Sequence, residues 1–265
     1  MSIVNWLPDE LPLAYINRRK IYSRCIGSET GFYEINIGNQ NPDHLLLWLH
    51  GSGNSYKEMI MLIGPTYVKQ MIKSKNEGKS VRVIIPYCLP DLMWMNTSSP
   101  VWGIENYIVE ELIPSLSKES GIKPGTRHEI HGYSMGGYAA LRFGLKYSHI
   151  FEKVVAVGAG PLADQLSDNV KGDKGFKEEI LRVVYGNNER LYNRSLPYSQ
   201  AILYQDLIVQ RGLNINIIIG EHDEAIHDNL RLSKRLKQLG IDVNLSVLED
   251  CSHPLRDYIK KHPLC

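Results

Sequence analysis

The stretch "HGYSMGGYAA" runs from His131 to Ala140 and contains one serine, Ser134. Gly132 and Gly136 flank it in the pattern G-x-S-x-G, which is typical of a serine on a sharp turn between a strand and a helix. Side chains two residues to either side of such a turn would collide, and glycine removes the collision. "HEIH" before the turn predicts a strand, and the apolar residues after it predict a helix. Ser134 is therefore the predicted nucleophile, and a turn without chemistry is the alternative.

Strand and helix patterns alternate along the rest of the chain. The predicted strands are Phe32–Ile37 (as an edge strand), His44–His50, Val81–Pro86, His128–Gly132, Val154–Gly160, Ile215–Gly220 and Asn244–Asp250. The predicted helices are Ile104–Leu116, the segment after Ser134, and Asp228–Gly240. This alternation predicts an α/β fold in which a mostly parallel central sheet has helices on both faces. In such a sheet, ligands bind at the carboxyl ends of the strands.

Residues 161–212 interrupt this alternation with a helical, tyrosine-rich, polar sequence. We expect a helical excursion that caps the carboxyl edge of the sheet, and extra surface helices are the alternative. The chain has 265 residues, enough for one large α/β domain and few for two. A single domain over residues 1–265 is therefore predicted.

Composition limits the classes of partner and the cellular compartment. Thirty basic and 29 acidic side chains give a formal net charge of +1, which does not favour nucleic acid or a membrane surface as a partner. No apolar run approaches the roughly 20 residues that span a bilayer, and the first residues do not resemble a secretory signal. The four cysteines form no C-x-x-C pair, which suits a reducing compartment. We expect a cytoplasmic protein, and the sequence leaves its oligomeric state open.

A serine hydroxyl is a weak nucleophile, so it needs a base and an acid that orients the base. In this fold class the acid and the histidine follow the serine in that order. Asp223 is the predicted acid, because a loop of this type turns for two residues after the glycine that ends its strand. Glu221 and Glu224 lie beside it, and Asp228 is better explained as the cap of the next helix.

His253 is the predicted base, because it lies in the loop after the last predicted strand. Pro254 follows it and keeps the chain out of a helix at this point. The chain has nine histidines, and a single histidine is more often structural. For His253, position, chain order and partners favour catalysis.

An acyl-transfer site also needs donors for the oxyanion. The backbone N–H of Met135 and that of Ser52, in "LHGSGNS", are the predicted pair. Gly51, Tyr133 and Trp94 are predicted to contact the substrate, and ordinary packing of Trp94 is the alternative. His50 is predicted to fix the Ser52 loop by hydrogen bonds.

We expect neither a cofactor nor a metal ion. His222 and His227 lie five residues apart, off one helical face, and the chain has no H-E-x-x-H motif and no Cys/His pairing typical of zinc sites. Cys251 lies two residues before His253, and we interpret it as a small buried apolar residue.

These motifs resemble the α/β-hydrolase superfamily, and within it the branch of esterase D-like, feruloyl esterase-like and mycolyltransferase-like enzymes. The resemblance rests on "LLLWLHGSG", "WMNTSS" followed by "ENYIVEELIPSL", "HGYSMGGYAALRFGLKY", "YGNNERLYNRSLPYSQA" and "GEHDEAIHDNLRLSKRLKQLGIDVNLSVLEDCSH". It implies an α/β-hydrolase fold with Ser134 as nucleophile, Asp223 as acid and His253 as base. Relatives often follow the histidine with an acidic residue and an aromatic one, whereas this chain has Pro254 and Leu255. The first thirty or so residues have no counterpart in that family, and we expect them to form an added strand pair or a dimer arm.

The predicted activity is hydrolysis of a small-molecule carboxylic ester or thioester through an acyl-enzyme intermediate. An acyltransferase or cyclase with the same triad and a peptidase are the catalytic alternatives. A hydrolase-fold protein that binds a ligand without turnover is the alternative from another class.

Overall fold

A computed structural model of the chain describes residues 16–37, 41–53, 80–88, 92–97, 102–162, 164 and 182–262. The described strands are β1 (Ile16–Ser23), β2 (Ser28–Ile37), β3 (His44–Leu49), β4 (Val81–Pro86), β5 (His128–Tyr133), β6 (Phe151–Val157), β7 (Asn214–Gly220) and β8 (Val243–Leu248). The described helices are α1 (Ile104–Asn106) with its π-helical continuation (Tyr107–Leu112), α2 (Ile113–Glu119), α3 (Met135–Lys146), α4 (Glu189–Ser195), α5 (Pro197–Leu203), α6 (Gln205–Arg211), α7 (Ile226–Gln238) and α8 (Leu255–Lys261).

The strands form one eight-stranded sheet in the order β1-β2-β4-β3-β5-β6-β7-β8. β2 runs antiparallel to both of its neighbours, and all pairs from β4 to β8 are parallel. This mostly parallel sheet confirms the predicted α/β-hydrolase fold. The carboxyl ends of β3, β5, β6, β7 and β8 lie along one edge of the sheet.

β3 is apolar along its length because both of its faces are covered. Leu45 and Leu47 belong to the core cluster that the sheet shares with the helices from α1 to α7. Leu46 and Trp48 point to the opposite face, whose cluster includes Leu255 of α8. Alternate residues of one strand therefore belong to two cores, and the described helices lie on both faces, as predicted.

The prediction that Phe32–Ile37 forms an edge strand is wrong, because β1 lies outside β2 and is the edge. One polar position of this stretch has a partner instead of solvent: the Glu34 carboxylate is buried and forms an ion pair with Arg82 of β4, whereas Asn36 is exposed. The polar residue at position 34 therefore does not indicate a solvent-exposed edge. β1 and β2 also agree with the predicted added strand pair.

The predicted excursion at residues 161–212 is helical where it is described. α5 packs against α3 and α7, and the hydroxyl of Tyr138 on α3 donates to the backbone oxygen of Ser195 at 3.0 Å. Residues 163 and 165–181 lie outside the described residues, so closure over the site stays a prediction. Among the helices described, none combines the length and apolar character that a membrane span requires.

Candidate active site

Ser134 lies at the turn between β5 and α3, at the carboxyl end of the sheet. Its backbone has φ 55° and ψ −118°, in the region of positive φ that residues other than glycine rarely adopt. The Ser134 N–H donates to the Val157 oxygen at 2.9 Å, and the Ser134 oxygen accepts from Tyr138 N–H at 3.0 Å. These bonds to β6 and α3 hold the strained turn from both sides, so the side chain projects from the end of β5.

The two glycines of the motif are required by close backbone packing. A Cβ atom on Gly132 would lie 2.1 Å from the oxygen of Gly136. A Cβ atom on Gly136 would lie 2.1 Å from the oxygen of Leu49, the last residue of β3. The first glycine therefore lets the turn close on itself, and the second lets α3 start against the end of β3.

The three predicted catalytic side chains form a continuous chain of hydrogen bonds. His253 Nε2 lies 3.1 Å from Ser134 Oγ, and His253 Nδ1 lies 2.7 Å from Asp223 Oδ2. Asp223 follows β7 and His253 follows β8, so adjacent parallel strands deliver the acid and the histidine to one edge. The three residues that follow the order nucleophile, acid and base along the chain thus meet in space.

The Asp223 carboxylate is buried, at 2% exposure, and fully engaged. Burial raises its pKa, but hydrogen bonds from His253, Tyr258 and the Ala225 N–H outweigh burial, and the net pKa lies below the usual value. Because an ionised carboxylate only accepts, His253 Nδ1 carries the proton. The Nε2 lone pair of the neutral ring therefore faces Ser134.

The neighbouring acids do not contact the histidine. Glu221 and Glu224 are exposed, and Glu221 accepts from the Asp250 N–H at 3.2 Å. The proposed cap role of Asp228 is wrong, because α7 begins at Ile226 and its N-cap residue is Ala225. Asp228 lies inside the first turn, where it pairs with Arg231 at 2.6 Å.

The segments that carry the two predicted oxyanion donors pack against each other at Gly136. Met135 is the first residue of α3, so its N–H has no acceptor within the helix and carries the positive end of the helix dipole. Ser52 follows the Leu49–His50 backbone against which Gly136 packs. The α3 start and the loop after β3 thus form two sides of one corner.

The His50 side chain braces that loop from inside the protein. Its Nε2 accepts from the Cys88 N–H at 3.2 Å, so its Nδ1 carries the proton and donates to the Gly51 oxygen at 2.7 Å. Burial lowers the pKa of His50 to about 4, which keeps the ring neutral. Trp94 is completely buried and donates from Nε1 to the His50 oxygen at 3.0 Å. This burial favours a bracing role for Trp94, with direct substrate contact remaining a prediction.

Tyr133 contacts the base side of the site. Its hydroxyl donates to the backbone oxygen of His253 at 2.8 Å, and the two rings lie 5.3 Å apart. The side chain is 6% exposed. These contacts favour support of the histidine loop, and substrate contact by Tyr133 remains a prediction.

Tyr258 is a residue of the site that sequence reasoning missed. Its hydroxyl donates to Asp223 Oδ2 at 2.6 Å and accepts from the Gly220 N–H at 2.9 Å. The only signal in the sequence is that Tyr258 lies five residues after His253. The first turn of the short α8 returns the chain towards Asp223 at this point. That spacing does not distinguish a hydroxyl contact from ordinary packing.

One group of described side chains has the spacing of a metal site. The ligand atoms of Glu221, His222 and Asp250 lie within 4.8 Å of one another, and all three residues are exposed. His227 is not part of the group. Cys251 is completely buried, as predicted for a small apolar residue, and no disulfide joins the described cysteines Cys25, Cys88 and Cys251.

The sheet topology, the strained serine turn and the serine–histidine–carboxylate geometry define the α/β-hydrolase class. Within that class, the model of the family described as "Putative esterase" matches residues 38–238. The chain belongs to this esterase family, and its activity class is ester hydrolysis. None of the curated proteins matches the chain.

Solved structures agree with the fold. A ferulic acid esterase has a TM-score of 0.69 and 18% identity, with 92% of this chain and 93% of that chain covered. The fluorophosphonate-binding serine hydrolase F of Staphylococcus aureus has a TM-score of 0.69 and 19% identity, covering 92% and 94%. An S-formylglutathione hydrolase from Agrobacterium tumefaciens has a TM-score of 0.69 and 18% identity, covering 92% and 91%. At these identities the likeness concerns the fold.

Proposed function

We propose that the protein is a serine hydrolase that cleaves a small carboxylic ester or thioester with Ser134, His253 and Asp223. The observation that carries the proposal is the unbroken chain from Ser134 Oγ through the His253 ring to Asp223 Oδ2, with spacings of 3.1 and 2.7 Å. A nucleophile, a base with its lone pair towards the nucleophile, and an acid that fixes the tautomer are the parts that acyl transfer needs.

In the first half-reaction, Ser134 Oγ attacks the acyl carbon while its proton moves to His253 Nε2. The ring becomes an imidazolium, which the Asp223 carboxylate stabilises through the Nδ1–H bond. The tetrahedral intermediate then collapses, the bond from the acyl carbon to the leaving oxygen or sulfur breaks, and Nε2–H protonates the leaving group. The product is an acyl ester on Ser134 with a neutral histidine ring.

In the second half-reaction, water attacks the acyl ester and gives its proton to His253 Nε2. Collapse of the second tetrahedral intermediate releases the carboxylic acid and returns the proton to Ser134 Oγ. In both steps the N–H groups of Met135 and Ser52 donate to the oxyanion, and loss of one such donor typically costs about 100-fold or more in rate.

The proposed substrate class covers both oxygen esters and thioesters. Structural neighbours include an enzyme named for ferulic acid esters and one named for the thioester S-formylglutathione. Both leaving groups use the same serine and histidine steps. A panel of acetyl and longer-chain acyl esters and thioesters, compared by kcat/KM, would rank the leaving group and the acyl length.

The first test is intact mass spectrometry after incubation with a small fluorophosphonate. We expect one phosphonate adduct on the wild type and none on Ser134→Ala. The matched control is Ser117→Ala, because the Ser117 hydroxyl also faces a histidine nitrogen, that of His128, at 3.2 Å. Ser117→Ala should label like the wild type.

A folded wild type without an adduct would contradict the proposal, as would an adduct that persists in Ser134→Ala. Esterase assays on the same proteins add the turnover criterion. Adding alcohols or amines to the esterase assay distinguishes acyl transfer to another nucleophile from hydrolysis. Hydrolysis predicts free acid as the main product, whereas diversion of most acyl groups to the added nucleophile would favour an acyltransferase.

A further inference from the structure

The Tyr258 hydroxyl joins the end of β7 to the acid of the triad. It accepts a hydrogen bond from the Gly220 N–H at 2.9 Å and donates one to Asp223 Oδ2 at 2.6 Å. Oδ2 is the same oxygen that receives His253 Nδ1–H at 2.7 Å. One carboxylate oxygen therefore holds two donors, and the other oxygen accepts from the Ala225 N–H at 2.8 Å.

The surroundings leave the tyrosine little freedom. Tyr258 is completely buried, and its ring lies 6.3 Å from the ring of Tyr133. The backbone of Gly158 packs against the same pair, since a Cβ atom there would lie 3.0 Å from the Tyr258 hydroxyl and 3.2 Å from Asp223 Oδ2. The hydroxyl is thus fixed by a strand end on one side and the turn after β6 on the other.

Tyr258 remains a donor throughout the working pH range. Burial raises the pKa of its hydroxyl, and the hydrogen bond to Asp223 raises that pKa further. A carboxylate that receives a short hydrogen bond has part of its negative charge compensated. The remaining charge sets how strongly Asp223 favours the imidazolium form of the histidine.

We infer that Tyr258 is a positioning residue of the triad. Its hydroxyl fixes the Asp223 carboxylate at the end of β7 and limits how strongly that carboxylate favours the imidazolium form of His253. This inference rests on the proposed function, because it concerns the same three catalytic residues. Its two parts have separate consequences. Loss of the Tyr258 hydroxyl frees the Asp223 carboxylate to rotate, which lowers kcat. It also leaves the negative charge of that carboxylate uncompensated, which favours protonation of the His253 ring.

Among the residues that the structure describes, the ionisable side chains packed around Asp223 and His253 are Tyr258 from α8, Tyr133 from β5 and Cys251 from the loop after β8. Burial raises the pKa of the Cys251 thiol, and Asp257 and Asp223 raise it further, so the thiol stays neutral beside the acid. A shift of the acid limb of the pH profile in a Tyr258 variant is therefore attributable to the histidine–aspartate pair.

The test is the pH dependence of ester hydrolysis in Tyr258→Phe, which keeps the ring and removes the hydroxyl. We expect kcat to fall about tenfold, the loss of one hydrogen bond to a charged group, with little change in KM. We also expect the acid limb of kcat/KM to move to higher pH. An unchanged kcat together with an unchanged acid limb would overturn the inference.

The matched control is Tyr138→Phe, which removes a buried hydroxyl but keeps the backbone N–H that donates to the Ser134 oxygen. The Tyr138 hydroxyl contacts Tyr185 and Ser195 and none of the triad side chains. Tyr138→Phe should lower thermal stability and leave the acid limb of kcat/KM in place. An equal shift of that limb in this control would also overturn the inference.

A second measurement covers the case in which Tyr258→Phe does not fold. Site-specific 3-fluorotyrosine at position 258 keeps the ring and both hydrogen bonds and makes the hydroxyl a stronger donor, so the acid limb should move to lower pH. No movement would overturn the inference. Failure of the proposed function is distinguishable, because it would appear in the wild type as hydrolysis that is absent or that persists in Ser134→Ala.

Discussion

Two serine–histidine pairs lie at opposite ends of the sheet, and their separations are nearly equal. Ser134 Oγ lies 3.1 Å from His253 Nε2 at the carboxyl end, and Ser117 Oγ lies 3.2 Å from His128 Nε2 at the start of β5. The difference is at the other ring nitrogen. His253 Nδ1 faces the carboxylate of Asp223, whereas His128 Nδ1 accepts from the backbone N–H of Leu45 at 3.3 Å.

The partner on Nδ1 decides which pair can do chemistry. A carboxylate accepts, so it leaves the proton on Nδ1 and the lone pair on Nε2, towards Ser134. A backbone N–H donates, so it puts the proton of the neutral His128 ring on Nε2, where it points at Ser117. Only the pair at the carboxyl end can remove a serine proton.

The largest expected effect comes from changing the tautomer at the catalytic pair. Asp223→Asn presents an amide that can donate to Nδ1, so His253 would adopt the arrangement of His128. We expect kcat to fall on the order of 10³–10⁴-fold, with the fold retained, as measured by steady-state ester hydrolysis and circular dichroism.

Asp228→Asn is the control for this change, because Asp228 is a half-buried carboxylate near the same loop that pairs with Arg231. It should keep the activity of the wild type. Near-normal turnover in Asp223→Asn together with a loss in Asp228→Asn would show that the acid is misassigned.

An intermediate effect, on stability rather than turnover, is expected at the other pair. His128→Gln replaces the rigid ring, whose Nδ1 accepts from the Leu45 N–H, with a flexible side chain whose amide oxygen lies at a different position, and should lower the free energy of unfolding by about 1–3 kcal/mol at neutral pH. Ester hydrolysis at permissive temperature should not change. A large loss of kcat in folded His128→Gln would break the distinction between the two pairs.

The pH dependence of stability sharpens the same comparison. Burial lowers the pKa of His128 from 6.5 to about 4, so between these values the unfolded chain binds a proton that the native protein does not. The contribution of the neutral His128 ring to the free energy of unfolding is complete above pH 6.5 and is lost as the pH falls towards 4. In urea titrations, the deficit of His128→Gln relative to the wild type should therefore shrink on acidification. The His128→Gln variant should still lose some stability on acidification, because the pKa of His50 is also lowered to about 4.

The smallest effect is expected at a histidine–carboxylate contact on the surface. His222 Nε2 lies 3.7 Å from Asp250 on the surface, next to Glu221. Because the proposed chemistry uses no metal, incubation with EDTA and its removal by desalting should leave kcat unchanged. A loss of activity that added Zn²⁺ restores, and that His222→Ala reproduces, would contradict this expectation.

Local sequence was sufficient for the strands near the site. The apolar runs predicted β3 and β4 to within one residue, because strands buried on both faces are apolar at most positions, although His44 begins β3 and Arg82 interrupts the run in β4. The glycine spacing around Ser134 predicted the turn, because a Cβ atom at Gly132 or Gly136 would lie 2.1 Å from a backbone oxygen and neither position has room for a side chain. The apolar runs and the packing of Gly132 on Gly136 depend on neighbours close in the chain or on a simple period, whereas the packing of Gly136 on Leu49 joins distant parts of the chain.

Features that depend on distant partners were mispredicted or missed. β2 resembles an edge strand in sequence because Glu34 is paired with Arg82, some fifty residues away, which no local pattern indicates. The Tyr258 contact was missed because a buried tyrosine in a short helix has the same sequence signature with or without a hydroxyl partner. The predicted start of α7 at Asp228 lies two residues after the observed start at Ile226, since Ala225 and not a polar residue is its N-cap.

The sequence by itself determined the parallel sheet, the serine turn and the order of nucleophile, acid and base, because period, glycine spacing and chain order are local or one-dimensional properties. Only the tertiary structure decided which histidine has its lone pair on a serine. Ser117–His128 and Ser134–His253 are both pairs of ordinary residues, and the partner of Nδ1 distinguishes them. That partner lies 83 residues from His128 in one case and 30 residues from His253 in the other. Such contacts exist only once the strands are paired.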